Sequence, residues 1–277
     1  MTIRSSSTHQ DQAVLPFLKW PGGKRWISKE IAEVAAANLK GRYIEPFLGG
    51  GAVFFRLLPA KAVLADINED LIATFRAVRR FPRRVRTELE CYSVSRQEYD
   101  RLRDSSPETD VKRAARMIYL NRTAFGGIYR VNRNGKFNVP FGGGERTMAA
   151  TLRGTLLEDA SKALKSAKLL AEDFESIIGD ARQGDVIYCD PTYTVAHNNN
   201  GFIRYNERNF AWVDQQRLSA AAYSAKHRGA FVMVSNADHP EIRKLYPRSR
   251  ITLLERFSAV CPNPDHRRTI EELLIFV

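Results

Sequence analysis

The chain has little cysteine and little histidine. Cys91, Cys189 and Cys261 stand far apart and form no C-x-x-C pair. Neither a disulfide framework nor a cysteine-built zinc site is expected, and a reducing compartment fits. The five histidines are scattered and include no H-E-x-x-H, so no metal is expected. No apolar run approaches the roughly 18 residues of a membrane span, which rules out an integral membrane protein. The first twelve residues are polar and lack the apolar segment of a secretion signal, so a cytoplasmic protein is expected. The phosphate-binding turns G-x-G-x-x-G and G-x-x-x-x-G-K-[ST] are both missing, which counts against NAD and against an ATPase.

Positive charge is what the sequence has in excess. Over 277 residues, 43 Lys and Arg outnumber 31 Asp and Glu, for a net charge of +12. Hydrophobic residues at 44% and charged residues at 27% are ordinary for a globular protein. The charge points to a polyanionic partner, most often nucleic acid. It is concentrated: residues 76–136 hold sixteen Lys and Arg against seven Asp and Glu.

Residues 1–14 read as a polar arm. A turn at Trp20-Pro21-Gly22-Gly23-Lys24 precedes a helix from Ile27 to about Asn38. A strand at 43–45 runs into Pro46-Phe47-Leu48-Gly49-Gly50-Gly51, and a helix starts near Ala52. Ala62–Ala65 is a buried strand ending at Asp66. This strand–loop–helix–strand unit opens a doubly wound α/β sheet. The basic stretch after about Thr74 is mostly helical. It ends in a hairpin signalled by Asn134-Gly135 between alternating runs. A basic helical insert bearing a hairpin suits a groove of duplex nucleic acid. The α/β pattern resumes after Thr155, with strands at 167–170, 185–189, 231–235, 253–258 and 273–277 and a helix over about 214–227. The expected divisions are 1–75 and 151–277 for the α/β catalytic part and 76–150 for target recognition.

Ligands of open α/β sheets bind beyond the carboxyl ends of the strands. Four strand ends carry distinctive groups: Glu45 with its glycine loop, Asp66, Asp173 and Asp190. Glycines 49–51 let the backbone approach a ligand. Asp66 suits a contact to ribose hydroxyls, for NAD or S-adenosylmethionine. Asp190-Pro191-Thr192-Tyr193 is the sharper feature. The Asp carboxylate and the Pro191 carbonyl are two acceptors for an exocyclic amino group, and Tyr193 offers a face for stacking. Together they make a receptor for an amino-bearing base extruded from a duplex. Cys189 is read as core. No Cys-Pro pair stands at this loop, which counts against cytosine C5 chemistry, since that needs a thiolate.

The order of motifs resembles the Dam-type DNA adenine N6-methyltransferases, the D12 class, in which the cofactor motifs precede the catalytic one. The matching segments are LKWPGGK at 18–24, EPFLGGG at 45–51, ADINEDLI at 65–72, YLNR at 119–122, GKFNVPFG at 135–142, EDF at 172–174, YCDPTY at 188–193 and EELLIF at 271–276. They run in family order over nearly the whole chain beyond residue 16. The resemblance implies a Rossmann-like S-adenosylmethionine-dependent methyltransferase sheet with a mainly helical DNA-recognition insert carrying a β-hairpin. It implies S-adenosylmethionine as cofactor and double-stranded DNA as partner, with methyl transfer to adenine N6 after base flipping. Trp20, Gly22, Gly23, Lys24, Glu45, Pro46, Phe47, Gly49, Asp66, Ile67, Asp173, Phe174 and Asp190 match cofactor-binding positions. Asp190, Pro191 and Tyr193 match the catalytic D-P-P-Y. Asn121, Arg122, Arg130, Asn132, Arg133, Lys136 and Pro140 fall in the DNA-binding segments, with Arg130 where the family reads a base edge.

Two departures stand out. Thr192 replaces the second proline of D-P-P-Y; both acceptors survive, so activity is expected to be retained. Gly126-Gly127 and Gly142-Gly143-Gly144 differ from close Dam relatives around the hairpin, which leaves the target sequence open, GATC among the candidates. Arg79, Arg80, Arg83 and Arg84 are expected to touch phosphates or to face solvent. A palindromic target is served by one chain acting twice or by a homodimer on DNA. The competing readings are a cytosine N4 or RNA amino-methyltransferase, a noncatalytic DNA-binding relative, and an NAD enzyme.

Overall fold

The computed structural model describes residues 14–20, 22–132, 135–143, 148, 152, 154–194, 210–257 and 269–277. The first thirteen residues, Pro21, Arg133, Asn134, residues 195–209 and Cys261 lie outside the described residues. The chain forms two compact units. Among the described residues, one comprises 14–37 and 48–172, the other 38–47 and 173–277.

In the first unit, α1 (Ser28–Asn38, all but its last residue) follows the Trp20 turn, and α2 (Ala52–Leu57) follows the glycine loop. Strands β2 (Ala62–Ala65) and β3 (Ala167–Leu170) pair in parallel, Ala62 opposite Ala167 and Ala65 opposite Leu170. Among the described residues the unit also holds the helices α3 (Glu69–Arg80), α4 (Pro82–Glu90), α5 (Arg96–Asp104), α6 (Asp110–Thr123) and α7 (Leu156–Leu164). Their starts are written locally. Asn68, Ser95 and Thr109 accept from backbone N–H groups of the first turns of α3, α5 and α6, and Pro82 opens α4. Along α3, Leu71, Ile72, Phe75 and Val78 recur at helical spacing and are fully buried. The Phe75 ring lies 4.8 Å from that of Phe17. Helix α3 packs on both α6 and α7, so the expected recognition segment shares a core with β2 and β3.

Many arginines here are structural. Arg76 and Arg79 donate to the carbonyls of Leu169 and Ala167, each at 2.8 Å, on the outer side of β3. Arg116 donates to the carbonyls of Leu102 and Arg103, both at 2.6 Å, at the carboxyl end of α5. Arg86 forks onto Glu158 and joins α4 to α7. Arg79 is half-buried rather than open to solvent. Its guanidinium satisfies a strand carbonyl. Arg80, Arg83 and Arg84 are exposed, as the alternative allowed, and Arg80 and Arg84 lie over the Phe81 ring.

Among the described residues, the second unit contributes five strands in mixed orientation. Strands β1 (Tyr43–Glu45), β4 (Val186–Cys189) and β5 (Phe231–Ala237) run parallel, with Tyr43 opposite Val186 and Val186 opposite Phe231. Strand β7 (Thr269–Phe276) lies antiparallel beside β5, and β6 (Arg250–Phe257) antiparallel beside β7. Helices α8 (Phe174–Gly179), α9 (Trp212–His227) and α10 (Pro240–Leu245) connect them. The parallel strands are buried on both faces, which is why they read as continuous apolar runs. The fold is Rossmann-like α/β, as expected. Strands β6 and β7 are each longer than the expected 253–258 and 273–277. Their ladder runs from Arg250 opposite Phe276 to Phe257 opposite Thr269, through charged positions that carry no apolar signal.

One buried ion pair closes the start of β4. Asp185 is 3% exposed and accepts from the Arg42 backbone N–H at 2.7 Å, the Arg42 guanidinium at 2.7 Å and the Arg182 N–H at 3.0 Å. Burial pushes its carboxyl up, but these donors outweigh burial and hold it below the usual carboxylate range. Its stabilising contribution is therefore present above that range and is lost as pH falls through the lowered value. Asp185→Asn is expected to cost about 3 kcal/mol at pH 7. Urea unfolding at neutral and acid pH should show a flatter acid limb for the variant. Parallel wild-type and variant curves at all pH values would remove Asp185 from this role.

Candidate functional site

In the first unit the glycine loop is shaped by β2. Leu48 N–H donates to the Ala65 carbonyl at 2.8 Å, and Gly51 N–H to the Leu48 carbonyl at 2.8 Å. Gly49 adopts φ 47° and Gly51 φ 68°, the left-handed region that favours glycine. Asp66, at the end of β2, accepts from Gly49 N–H with one oxygen and from Asn68 N–H with the other, both at 3.0 Å. The same carboxylate thus fixes the loop and the start of α3. Burial raises its pKa, and the two N–H donors oppose the rise. Ile67 beside it is 67% exposed, an apolar side chain left in water next to a carboxylate.

Trp20 lies on this loop. A Cβ on Gly49 would come within 2.7 Å of the Trp20 indole, so only glycine admits the ring. The other face of Trp20 stacks on Tyr129, with ring centres 5.4 Å apart and planes 20° apart, and Tyr129 packs edge-on against Phe137. Gly23 N–H returns to the Trp20 carbonyl at 3.1 Å, with Gly22 at φ 75°. Lys24 is 3% exposed, and its Nζ donates to the Gly22 carbonyl.

The hairpin arms pair through Asn138 N–H to Arg130 O and Asn132 N–H to Lys136 O. Arg130 is held along the return arm by Asn138, Nε to Oδ1 at 2.8 Å. Asn132, Lys136 and Pro140 are exposed, and Arg133 lies outside the described residues. Phe125, not singled out from the sequence, is 63% exposed. An open groove of about 1500 Å³ is lined in part by Lys19, Arg25, Arg122, Lys162 and Lys165. Arg122 also donates to the Phe17 carbonyl at 2.8 Å, and burial together with the charge of Arg25 pulls its pKa down to about 10.

Asn121 is a correction. It was expected to contact DNA, but it is fully buried. Its amide oxygen accepts from Lys19 N–H at 2.8 Å, and its amide nitrogen donates to the carbonyls of Lys19 at 2.6 Å and Gly127 at 3.2 Å. The side chain imitates a neighbouring strand and locks Lys19 to α6.

In the second unit the parallel register carries Glu45 and Asp190 to the same edge of the sheet. Glu45 is 2% exposed, and the Tyr43 hydroxyl donates to its Oε2 at 3.0 Å. Phe47 and Phe174 stack at 5.2 Å, and Phe210, missed from the sequence, closes an aromatic trio with both. Asp173 caps α8 through Glu175 N–H and pairs with Arg217 at 2.7 Å. Arg217 in turn lies over the Phe174 ring and bonds Asp214 and Glu175. Its pKa is raised by these carboxylates.

Cys189 is fully buried, and burial pushes its thiol well up, so it is core and not a nucleophile. After it, Pro191 is buried, Asp190 and Tyr193 are half-buried and Thr192 is exposed. The Tyr193 hydroxyl donates to Glu272 Oε2 at 2.9 Å. The Gln215 amide donates to Thr194 Oγ1 at 3.3 Å, and Asn236 donates to Gln215 at 2.9 Å. Glu272, Gln215 and Asn236 were not assigned roles from sequence; Glu272 sits in a motif that matched as a block, EELLIF. Among the described residues, no group of three or more His, Cys, Asp or Glu could hold a metal, and no helix is long and apolar enough to cross a membrane.

Residues 20–260 match the family described as D12 class N6 adenine-specific DNA methyltransferase. The chain is 33% identical over 270 residues to the Type II methyltransferase M1.LlaDCHI of Lactococcus lactis subsp. cremoris, covering 94% of each. It is 34% identical to the Type II methyltransferase M.MjaIII of Methanocaldococcus jannaschii, covering 95% of this chain and 98% of that one. It is 30% identical to the DNA adenine methylase of Escherichia coli strain K12, covering 93% of each.

The locking role of Asn121 is open to test by unfolding. Asn121→Ala leaves buried backbone groups at Lys19 and Gly127 unpaired and should lower the unfolding free energy by about 2–4 kcal/mol. An unchanged urea midpoint would show that the bonds contribute nothing.

Proposed function

The chain belongs to the D12 class of N6 adenine-specific DNA methyltransferases, and from that membership we propose how its residues methylate adenine in duplex DNA. We propose S-adenosylmethionine as the methyl donor. When bound, it supplies a methyl carbon already activated by its sulfonium, so the protein's task is positioning. The glycine turn fits such a ligand: no side chain projects from residues 49–51, the Asp66 carboxylate sits at the strand end, and Ile67 offers an apolar surface. Asp66 is proposed for the ribose hydroxyls and Ile67 for the adenine ring. Trp20, Gly22, Gly23 and Lys24 support that loop. Glu45, Pro46, Phe47, Asp173, Phe174 and Asp190 are proposed for the cofactor from their match to the family's motifs.

The observation that carries the reading is Asp190-Pro191-Thr192-Tyr193 at the carboxyl end of β4, with buried Glu45 ending the neighbouring parallel strand. Extruding adenine costs a few kcal/mol. Stacking on Tyr193 returns about 1–3 kcal/mol. The Asp190 carboxylate and the Pro191 carbonyl accept from the N6 amino group and aim its lone pair at the methyl carbon. The carbon–nitrogen bond forms as the carbon–sulfur bond breaks, and N6 sheds one proton. Nothing here requires the second proline, so Thr192 is compatible with turnover.

Arg130 is proposed to read a guanine, since its guanidinium is held in place by Asn138. Asn132, Arg133, Lys136 and Pro140 are proposed to meet DNA along the hairpin, and the cationic groove with Arg122 to hold phosphates. A homodimer or one chain acting twice would serve a palindromic site. Action on DNA in the bacterial cytoplasm fits this substrate.

Modification-sensitive sequencing of DNA from cells expressing the chain should find N6-methyladenine in one recurrent motif. Asp190→Ala should lower that signal at least 100-fold while DNA affinity changes less than threefold. Modified cytosine, or methylated RNA alone, would overturn the adenine assignment. Arg130→Ala should relax the motif at one position, at a cost of about 1–3 kcal/mol in discrimination. A uniform loss on all sequences would make Arg130 a phosphate contact instead.

A further inference from the structure

The catalytic loop lacks one rigid element and is held at two points by buried side chains. A proline at 192 would fix φ; threonine leaves it free. Thr192 is exposed, so little packs around it to restrict the chain. The two residues after it are held by side chains from distant segments. Tyr193 donates to Glu272, which is 1% exposed. Thr194 accepts from Gln215, and Gln215 accepts from Asn236; both amides are fully buried.

The sheet explains why two holds are needed. Ala237 of β5 faces Glu272 of β7, and Asn236 faces Leu273. Successive residues of a strand point to opposite faces. Asn236 and Glu272 therefore stand on opposite faces of the sheet; Glu272 meets Tyr193 directly, and Asn236 is linked to the adjacent Thr194 through Gln215. Tyr193 has two free torsions and would otherwise sweep its ring through several rotamers. A carboxylate with almost no exposure, 79 residues away in sequence, fixes the far end of that ring.

We propose that Glu272 is a positioning residue for the methyl transfer: by accepting the Tyr193 hydroxyl it sets the ring plane against which the flipped adenine stacks. Gln215, backed by Asn236, holds the next residue in the same way. The inference rests on the adenine-methyltransferase reading above and adds to it a residue that acts through Tyr193. It carries a specific consequence. The ring position matters once the base is out of the duplex, so loss of the hold lowers kcat and leaves KM for DNA and for S-adenosylmethionine nearly unchanged.

The test measures methylation of a duplex oligonucleotide carrying the target motif by the full chain. Tyr193→Phe keeps the ring and removes only the hydroxyl; Glu272→Leu removes the acceptor; Glu272→Gln keeps an acceptor oxygen. The expected result is a fall in kcat of about 10-fold or more for Tyr193→Phe and Glu272→Leu, with each KM within threefold. Glu272→Gln should keep at least a third of kcat, and Glu272→Leu should cost less than threefold on top of Tyr193→Phe. Full kcat in Tyr193→Phe would overturn the proposal even if Glu272→Leu fails to fold. So would equal losses in Glu272→Gln and Glu272→Leu, or independent losses in the double variant. A wild-type chain that methylates no adenine would bring down the underlying reading instead. The hold itself would still be measured by the coupling of the two substitutions in unfolding free energy.

Discussion

Parallel pairing of β1, β4 and β5 is the constraint on which the chemistry of the second unit depends. Strands that run the same way and lie in register end together, so whatever follows them is delivered to one edge. Glu45, Asp190 and Asn236 arrive there as a consequence of pairing alone. The strands that carry them are too short and too apolar to contribute anything but position. Reversal comes with β7, whose antiparallel course brings Glu272 opposite Ala237 and so returns a carboxylate toward the same loop from the opposite chain direction. Function in this unit is a matter of which residues stand at the ends of a buried ladder.

The first unit uses a different device. Its segment before α1 lies outside any helix or strand and is tied down by side chains. Asn121 completes the hydrogen bonding of Lys19, and Arg25 and Arg122 take the carbonyls of Pro16, Phe17 and Leu18. Trp20 then sits between the glycine loop and Tyr129, and Tyr129 between Trp20 and Phe137. A continuous line of rings therefore runs from the loop that follows β1 to the return arm of the hairpin. Gly142 lets that arm approach: a Cβ there would fall 2.8 Å from the Ala124 carbonyl oxygen.

Much of this was legible in the sequence because it is local. The glycine loop, Asp66 at a strand end and the strands at 43–45, 62–65 and 167–170 are stated by runs of a few residues. What escaped the sequence was long-range. Asn121 meets Lys19 across 102 positions and Tyr193 meets Glu272 across 79; no periodicity encodes such a pairing. Asn121 looked like a DNA contact because an amide amid basic residues is equally suited to bases and to backbone, and only burial separates the two. The full length of β6 and β7 escaped for a related reason. A ladder is held by main-chain bonds, and its charged positions look like loop.

The arginines of the recognition segment bear on a quantity that composition alone would overstate. Association of a cationic surface with DNA is driven largely by counterions displaced from the phosphates, and the displacement counts only charges that reach them. Arg76 and Arg79 finish the edge of β3, Arg116 closes the end of α5 and Arg86 is neutralised by Glu158. Part of the hydrogen-bonding capacity of these side chains is already used within the protein. The ionic-strength dependence of binding therefore counts the cations that reach the phosphates, and the sixteen basic residues of the segment are only its upper bound.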